Sequence, residues 1–124
     1  MNVIRIDKVQ KQPMSSATPV PGWSGGSVSR SRQVVIPDGD SENYKCSVVN
    51  FDQGATTGWH AHDCDQILVV TAGEGIVATE QEEQPIKVGD VVHIKAGERH
   101  WHGANANHSM SHITVTVAGS QSKH

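Results

Sequence analysis

The sequence predicts an all-β domain, and three observations carry that expectation. Short apolar or alternating runs recur along residues 34–118, each ended by a glycine-centred turn. No stretch repeats apolar residues at the spacing of an amphipathic helix. At 124 residues the chain is long enough for one modest core and no more. Strands punctuated in this way close into a barrel or sandwich.

The elements follow in order. Val3-Ile4-Arg5-Ile6 alternates and reads as a first strand. Pro13, Pro19, Pro21, Gly22, Gly25 and Gly26 then give the chain the composition of an extended arm, with Trp23 as a packing anchor. Residues 1–33 are thus an arm plus first strand, 34–118 the barrel domain and 119–124 a tail. Within the barrel, Val34-Val35-Ile36 stops at the turn Pro37-Asp38-Gly39-Asp40. Residues 44–51 alternate and meet Gln53-Gly54, and residues 58–62 are short and extended. Residues 66–71 are almost wholly apolar, and Ala72-Gly73-Glu74-Gly75 reads as a hairpin turn into a strand over 75–80. Strands over 86–88 and 91–94 end at Gly89-Asp90 and Ala96-Gly97-Glu98, and 112–117 closes the series. The polar tail, His124 included, is expected to be frayed.

Bulk properties exclude some partners. A formal net charge of −3 and a pI near 6.2 argue against nucleic acid or an anionic membrane surface, both of which call for a basic patch. No apolar run approaches the ~20 residues of a membrane span. Residues 1–11 mix apolar and charged side chains and lack the apolar stretch of a secretory signal. The expected location is the cytoplasm, with Cys46 and Cys64 as reduced thiols.

The eight histidines are not spread evenly: five fall between His93 and His112, and two are His60 and His62. Residues i and i+2 of a strand share a face, so His60 and His62 can both enter a barrel while Ala61 faces away. Gln66 opens the next strand after the short turn Asp63-Cys64-Asp65, close enough to join them. About thirty residues on, a strand and a Gly turn deliver His100. His60, His62, Gln66 and His100 can thus be brought side by side, and clustering of this kind points to metal or acid–base chemistry. His93 reads as a strand or interface residue and His108 as a loop residue. Trp59 and Trp101 flank ligands and should pack on the opposite side of their strands.

The spacing of these residues resembles the two motifs of the cupin superfamily. The first is matched by Gly54, His60, His62, Gln66 and Gly73, the second by Gly89, Lys95, Gly97, His100 and Ala104. Gln66 replaces the usual Glu, Lys95 a Pro and Ala104 an Asn. The resemblance implies a jelly-roll β-barrel, usually dimeric, whose three His and fourth ligand hold the metal. Gln66, His100-Trp101-His102-Gly103-Ala104, Met110-Ser111-His112 and the early Trp23-Ser-Gly-Gly-Ser-Val28 are similar to manganese-dependent bacterial cupins. These include hydroxynitrile lyases and carboxymuconolactone-decarboxylase-associated cupins. The likeness implies pocket roles for Thr57, His102 and His112, and Mn²⁺ as metal. Where the lyases carry a Gln, this chain has Thr116. The ligand types alone also suit Fe²⁺, Co²⁺, Ni²⁺ or Zn²⁺.

Three imidazoles and an amide leave the full 2+ charge of the ion uncompensated. That favours Lewis-acid chemistry on a small hydroxy or carbonyl substrate, of the hydroxynitrile-lyase type, over oxygen chemistry. His112, Thr114 and Thr116 share one strand face, which makes His112 a candidate general base with His102 beside it. The alternatives are a metal-dependent dioxygenase or isomerase, and a non-catalytic module that binds a small molecule. The arm and the alternating first strand point to exchange between subunits of a homodimer or higher homo-oligomer.

Overall fold

In the computed structural model, the structure describes residues 1–14, 20 and 29–124. Trp23, the likeness around it and most of the Pro/Gly-rich arm lie outside the described residues. The strands are β1 (Gln12–Pro13), β2 (Arg30–Ile36), β3 (Tyr44–Phe51), β4 (Ala61–His62) and β5 (Gln66–Thr79). They continue with β6 (Glu83–Lys87), β7 (Val91–Ile94), β8 (His100–Ala104), β9 (Met110–Val117) and β10 (Ser122–Lys123). A single 3-10 turn, Ile6–Lys8, precedes them.

One strand organises the barrel. The first half of β5 pairs with β9 and β7, and its second half with β6 and β8, all antiparallel. β9 continues the first sheet to β3, β2 and β1. β5 therefore crosses from one sheet into the other around Gly73 to Gly75, just after its pairing with β9 shifts register between Val70 and Ala72. This corrects the hairpin expected at Ala72-Gly73-Glu74-Gly75: the chain runs straight through. Gly73 has φ 73°, and a Cβ there would run into the Ser109 carbonyl. A Cβ on Gly75 would strike the Gly103 carbonyl and the Met110 sulfur. These glycines permit close crossing of strands, not a turn.

A second correction concerns the first strand. Val3-Ile4-Arg5-Ile6 has no strand partner among the described residues, and Ile6 enters the 3-10 turn instead. The amide of buried Gln33 on β2 fastens that turn, donating to the carbonyls of Ile6 (2.8 Å) and Val9 (3.0 Å). The third correction is at the C-terminal end. Ser122 and Lys123 pair with His62 and Ala61, so the segment expected to fray is hydrogen-bonded onto β4.

The interior combines small aliphatic side chains with a few large ones. Val49, Phe51, Ala55, Val70, Ile86, Ala104 and Met110 form the principal cluster. Trp101, 2% exposed, packs with Val20 and Ala78 on the other side of β8 from His100 and His102. Trp59 lies against the same cluster, with the Arg99 guanidinium 4.7 Å above its ring. Both tryptophans thus pack away from the histidines, Trp101 because alternation along β8 requires it.

Candidate metal centre

The three histidines converge because their backbones are paired. His60 and His100 exchange both backbone hydrogen bonds, at 2.9 and 2.8 Å, as an isolated antiparallel bridge. Directly opposite residues of such a pair point the same way, and their ring centroids are 4.2 Å apart. His62 follows two residues on, with its ring 5.0 Å from His60 and 5.7 Å from His100. Each of the three offers a donor atom, and these atoms lie within 4.8 Å of one another.

Outer contacts set which ring nitrogen faces inward. His60 Nδ1 donates to the Gly58 carbonyl at 2.9 Å, and His100 Nδ1 donates to the Glu98 carbonyl at 2.8 Å. A carbonyl can only accept, so each ring carries its proton on Nδ1 and keeps its Nε2 lone pair free. Nε2 of His62, Nε2 of His100 and Oε1 of Gln66 are buried polar atoms without a hydrogen-bond partner. Three unpartnered acceptors in one place are costly unless something electropositive meets them. Gln66, 4% exposed, opens β5 beside the cavity that His62 also lines. Its amide nitrogen donates to Thr114 Oγ1 at 2.8 Å, which leaves Oε1 as the acceptor. This donor set fits a divalent ion: neutral imidazoles with an amide oxygen, with His60, His100 and Gln66 each oriented by a second contact.

Burial keeps the imidazoles neutral. It lowers the His60 pKa to about 3, reinforced by the neighbouring His100, and it also lowers those of His62 and His100. Neutral rings present lone pairs at pH 7, as metal ligation requires.

The expected catalytic residues lie deeper. His102, on β8, stacks 5.6 Å from His100, and His112, on β9, reaches it with Nε2 3.1 Å from His102 Nδ1. Both rings are buried, at 3% and 0% exposure, and Phe51 packs edgewise on His102 and tilted on His112. Burial pushes His112 down to about 4 and His102 well below its ordinary value. Thr57 is a clasp: its hydroxyl donates to the Gly58 carbonyl at 2.8 Å and accepts from the His102 backbone N–H at 3.2 Å. The Gly58 carbonyl that orients His60 is therefore held from two sides.

The cavity beside the triad measures about 500 Å³ and adjoins a second of about 330 Å³. Ser47, Lys45, Thr114, Thr116 and Arg32 line the larger one, with Val34, Ile36 and Met14 as apolar wall. His102 and His112 line neither. Sequence reasoning missed Lys45 and Ser47, although alternation in β3 puts them on the same face as Val49 and Phe51. It also missed His124, whose ring lies 5.8 Å from His60 once β10 has paired. His93, exposed, meets the Asp65 carboxylate at 2.7 Å. His108 is 3.8 Å from Glu74 at the surface. The two cysteines are free thiols.

Residues 47–117, more than half of the chain, match the cupin domain family. The chain belongs to that family. The resemblance in the motifs is thus a true relationship, and the cupin barrel is also what solved structures show. A cupin-like protein from Thermotoga maritima superposes with TM-score 0.71 at 28% identity, covering 87% of this chain and 85% of that one. A predicted oxalate decarboxylase from the same organism gives TM-score 0.76 at 21% identity, covering 94% and 99%, and shows the fold alone. Among curated proteins, an (R)-mandelonitrile lyase from Granulicella tundricola is 44% identical over 68 residues. That stretch is 54% of this cupin and 52% of the lyase, so the match spans about half of either chain. Among the described residues, no helix is long and apolar enough to cross a membrane.

Proposed function

We propose that this cupin is a metal-dependent lyase acting on a small hydroxy or carbonyl substrate, with carbon–carbon cleavage of the hydroxynitrile-lyase type. The observation that carries the proposal is the set of buried, unpartnered acceptors around His62, His100 and Gln66, none of them anionic. His60, His62 and His100 through their imidazoles, and Gln66 through Oε1, would hold the ion. When bound, a divalent metal, with Mn²⁺ favoured by the lyase likeness, supplies Lewis-acid polarisation of a substrate oxygen. Because Gln66 is neutral, that polarisation is stronger than a Glu at the same position would leave.

The residues of the chain do the rest. Thr114 fixes the Gln66 amide, while Ser47 and Thr116 offer hydroxyls to a bound substrate. Val34, Ile36 and Met14 exclude water from one side of the cavity. The His102–His112 pair holds one proton between His112 Nε2 and His102 Nδ1, and its burial opposes a second. Thr57 locks His102 in register with the segment that bears His60. The protein is proposed to work in the cytoplasm as a homodimer or larger homo-oligomer. Exposed apolar residues on the outer sheet face, Ile67, Val91 and Val117, support self-association. Elemental analysis of purified protein, with a cyanohydrin-cleavage assay on the same metal-loaded sample, tests the reading. Stoichiometric metal and cleavage are expected. Protein that neither contains metal nor takes it up on reconstitution would refute it.

A further inference from the structure

Lys45 and Arg32 both line the cavity that His62 and Gln66 line, with Arg32 opposite Val49 in the strand register and Lys45 four residues further along β3. Lys45 occupies the outermost inward-facing position of β3, paired across the sheet with Thr116 of β9. Ser47, next on the same face, pairs with Thr114, the residue that holds Gln66. Lys45 is therefore two strand steps from the metal-facing amide. Its ammonium is fixed in place, donating to the Ser120 carbonyl at 2.8 Å. Asp38 is 3.8 Å away, beyond hydrogen-bond length, and itself accepts from the Gly119 N–H. The Lys45 charge is felt at His62, where it adds to burial and His100 in lowering the pKa.

The charge balance of this region is one-sided. Arg32, Lys45 and Asp38 are the charged residues lining the two adjoining cavities, a net excess of one positive charge. The four donors add no negative charge, so a divalent ion would raise the excess further. The apolar wall of Val34, Ile36 and Met14 focuses that field into the cavity. A neutral ligand would leave it uncompensated.

We propose that the substrate is a small carboxylate bearing a hydroxyl or carbonyl oxygen on the neighbouring carbon, with Lys45 holding the carboxylate and Arg32 adding to the positive field of the same cavity. The inference rests on the metal-dependent reading of the site and keeps its Lewis-acid chemistry, but takes a charged 2-hydroxy or 2-oxo acid, not a neutral cyanohydrin, as the ligand that the cavity prefers. Ser47, Thr114 and Thr116 face the uncharged part of such a molecule. Charge-assisted hydrogen bonds of this kind are worth about tenfold or more in affinity each.

Calorimetric titration of the manganese-loaded full chain with glycolate and with its neutral isostere glycolamide tests the proposal. The parent should prefer glycolate. The preference should fall about tenfold in Lys45→Gln, by less in Arg32→Gln, and return in Lys45→Arg. Manganese affinity should hold or rise in Lys45→Gln, because a cation near His62 has gone. Among the described residues no hydrogen bond ties Arg32 to the C-terminal segment that Lys45 holds, so its variant reports charge even if Lys45→Gln loosens that segment. If both variants keep the parent's preference for glycolate, the carboxylate is not held by these cations and the inference falls while the metal centre stands. If the chain takes up no manganese, the metal-dependent reading fails and the inference fails with it.

Discussion

Thr114→Val isolates the hydrogen bond that turns the Gln66 amide. Valine keeps the branching of threonine, so the change removes a hydroxyl and little else. Gln66 is 4% exposed, and its amide donates to Thr114 Oγ1 at 2.8 Å. Without that acceptor a buried N–H is left unpaired, at a cost of about 1–3 kcal/mol. The amide can relieve the cost by rotating about its last torsion, which brings nitrogen where the oxygen had been. Either way the oxygen donor is no longer held toward the histidines. Losing an outer partner of a metal ligand typically weakens metal binding about 10–100-fold, or about 1.4–2.7 kcal/mol. The metal-free variant should therefore melt a few degrees lower, while its metal dissociation constant rises by that factor in competition against a chromogenic chelator. Thr114→Ser, which restores a hydroxyl, should recover most of the affinity. Unchanged affinity in Thr114→Val, with binding lost in His100→Ala, would show that this hydroxyl does not orient a ligand.

Two further predictions follow from the same contacts. Because burial holds His60 at about 3 and His112 at about 4 in the folded protein, against 6.5 when exposed, the unfolded chain binds more protons below pH 6.5. The metal-free protein should be fully stable above pH 6.5 and lose stability as the pH falls from there toward 4, by roughly 3 kcal/mol at pH 4 for each ring. Denaturant melts in chelator from pH 7 to 4 check this, and a flat profile would mean the rings are not buried neutral. Gly103→Ala places a Cβ against the Ala55 carbonyl and 2.8 Å from Thr56 Cα. Overpacking against backbone costs about 1–3 kcal/mol and should pull β8 from the clasp at Thr57, lowering both the melting temperature and metal occupancy. A variant as stable and as fully loaded as the parent would show that the close approach is not needed.

What was legible in the sequence was local. β3 and β7 have the bounds that alternation and Gly turns assign, because both signals lie within a few residues of the strand. His60 and His62 share a face for the same reason, and the turn to Gln66 is short. What was not legible depended on distant partners. Gly73 and Gly75 look like turn residues, yet what they meet is Ser109, Gly103 and Met110 from other strands. Val3-Ile4-Arg5-Ile6 has the pattern of a strand, but a strand needs a free edge beside it. The closing segment has no pattern at all and is ordered by pairing with β4. For His102 and His112, alternation gives the inward face, but only the packing of β8 and β9 brings the two rings to hydrogen-bond distance. Their lowered pKa values then come from burial first.

The inward face of β3 connects these observations. From Lys45 through Ser47 and Val49 to Phe51 it runs from charged to apolar, and β9 runs alongside from Thr116 and Thr114 to His112 and Met110. The cavity lies at the polar end, where Lys45, Thr116 and His62 line it. The His102–His112 pair sits at the apolar end, under Phe51, where charge is most expensive. A proton can be stored there only while its partner charge stays close, so the deep pair suits exchange within the site better than exchange with solvent. At the polar end the logic is reversed. Gln66 would bring no negative charge to a bound ion, and Lys45 and Arg32 outnumber Asp38, so on the proposed reading the remaining negative charge comes with the ligand. A Glu at position 66 would supply that complement permanently. Gln66→Glu should therefore bind metal more tightly and glycolate more weakly, and the two changes should be opposite in sign. Equal glycolate affinity in the two proteins would mean that the ligand's charge is not what the cavity recognises.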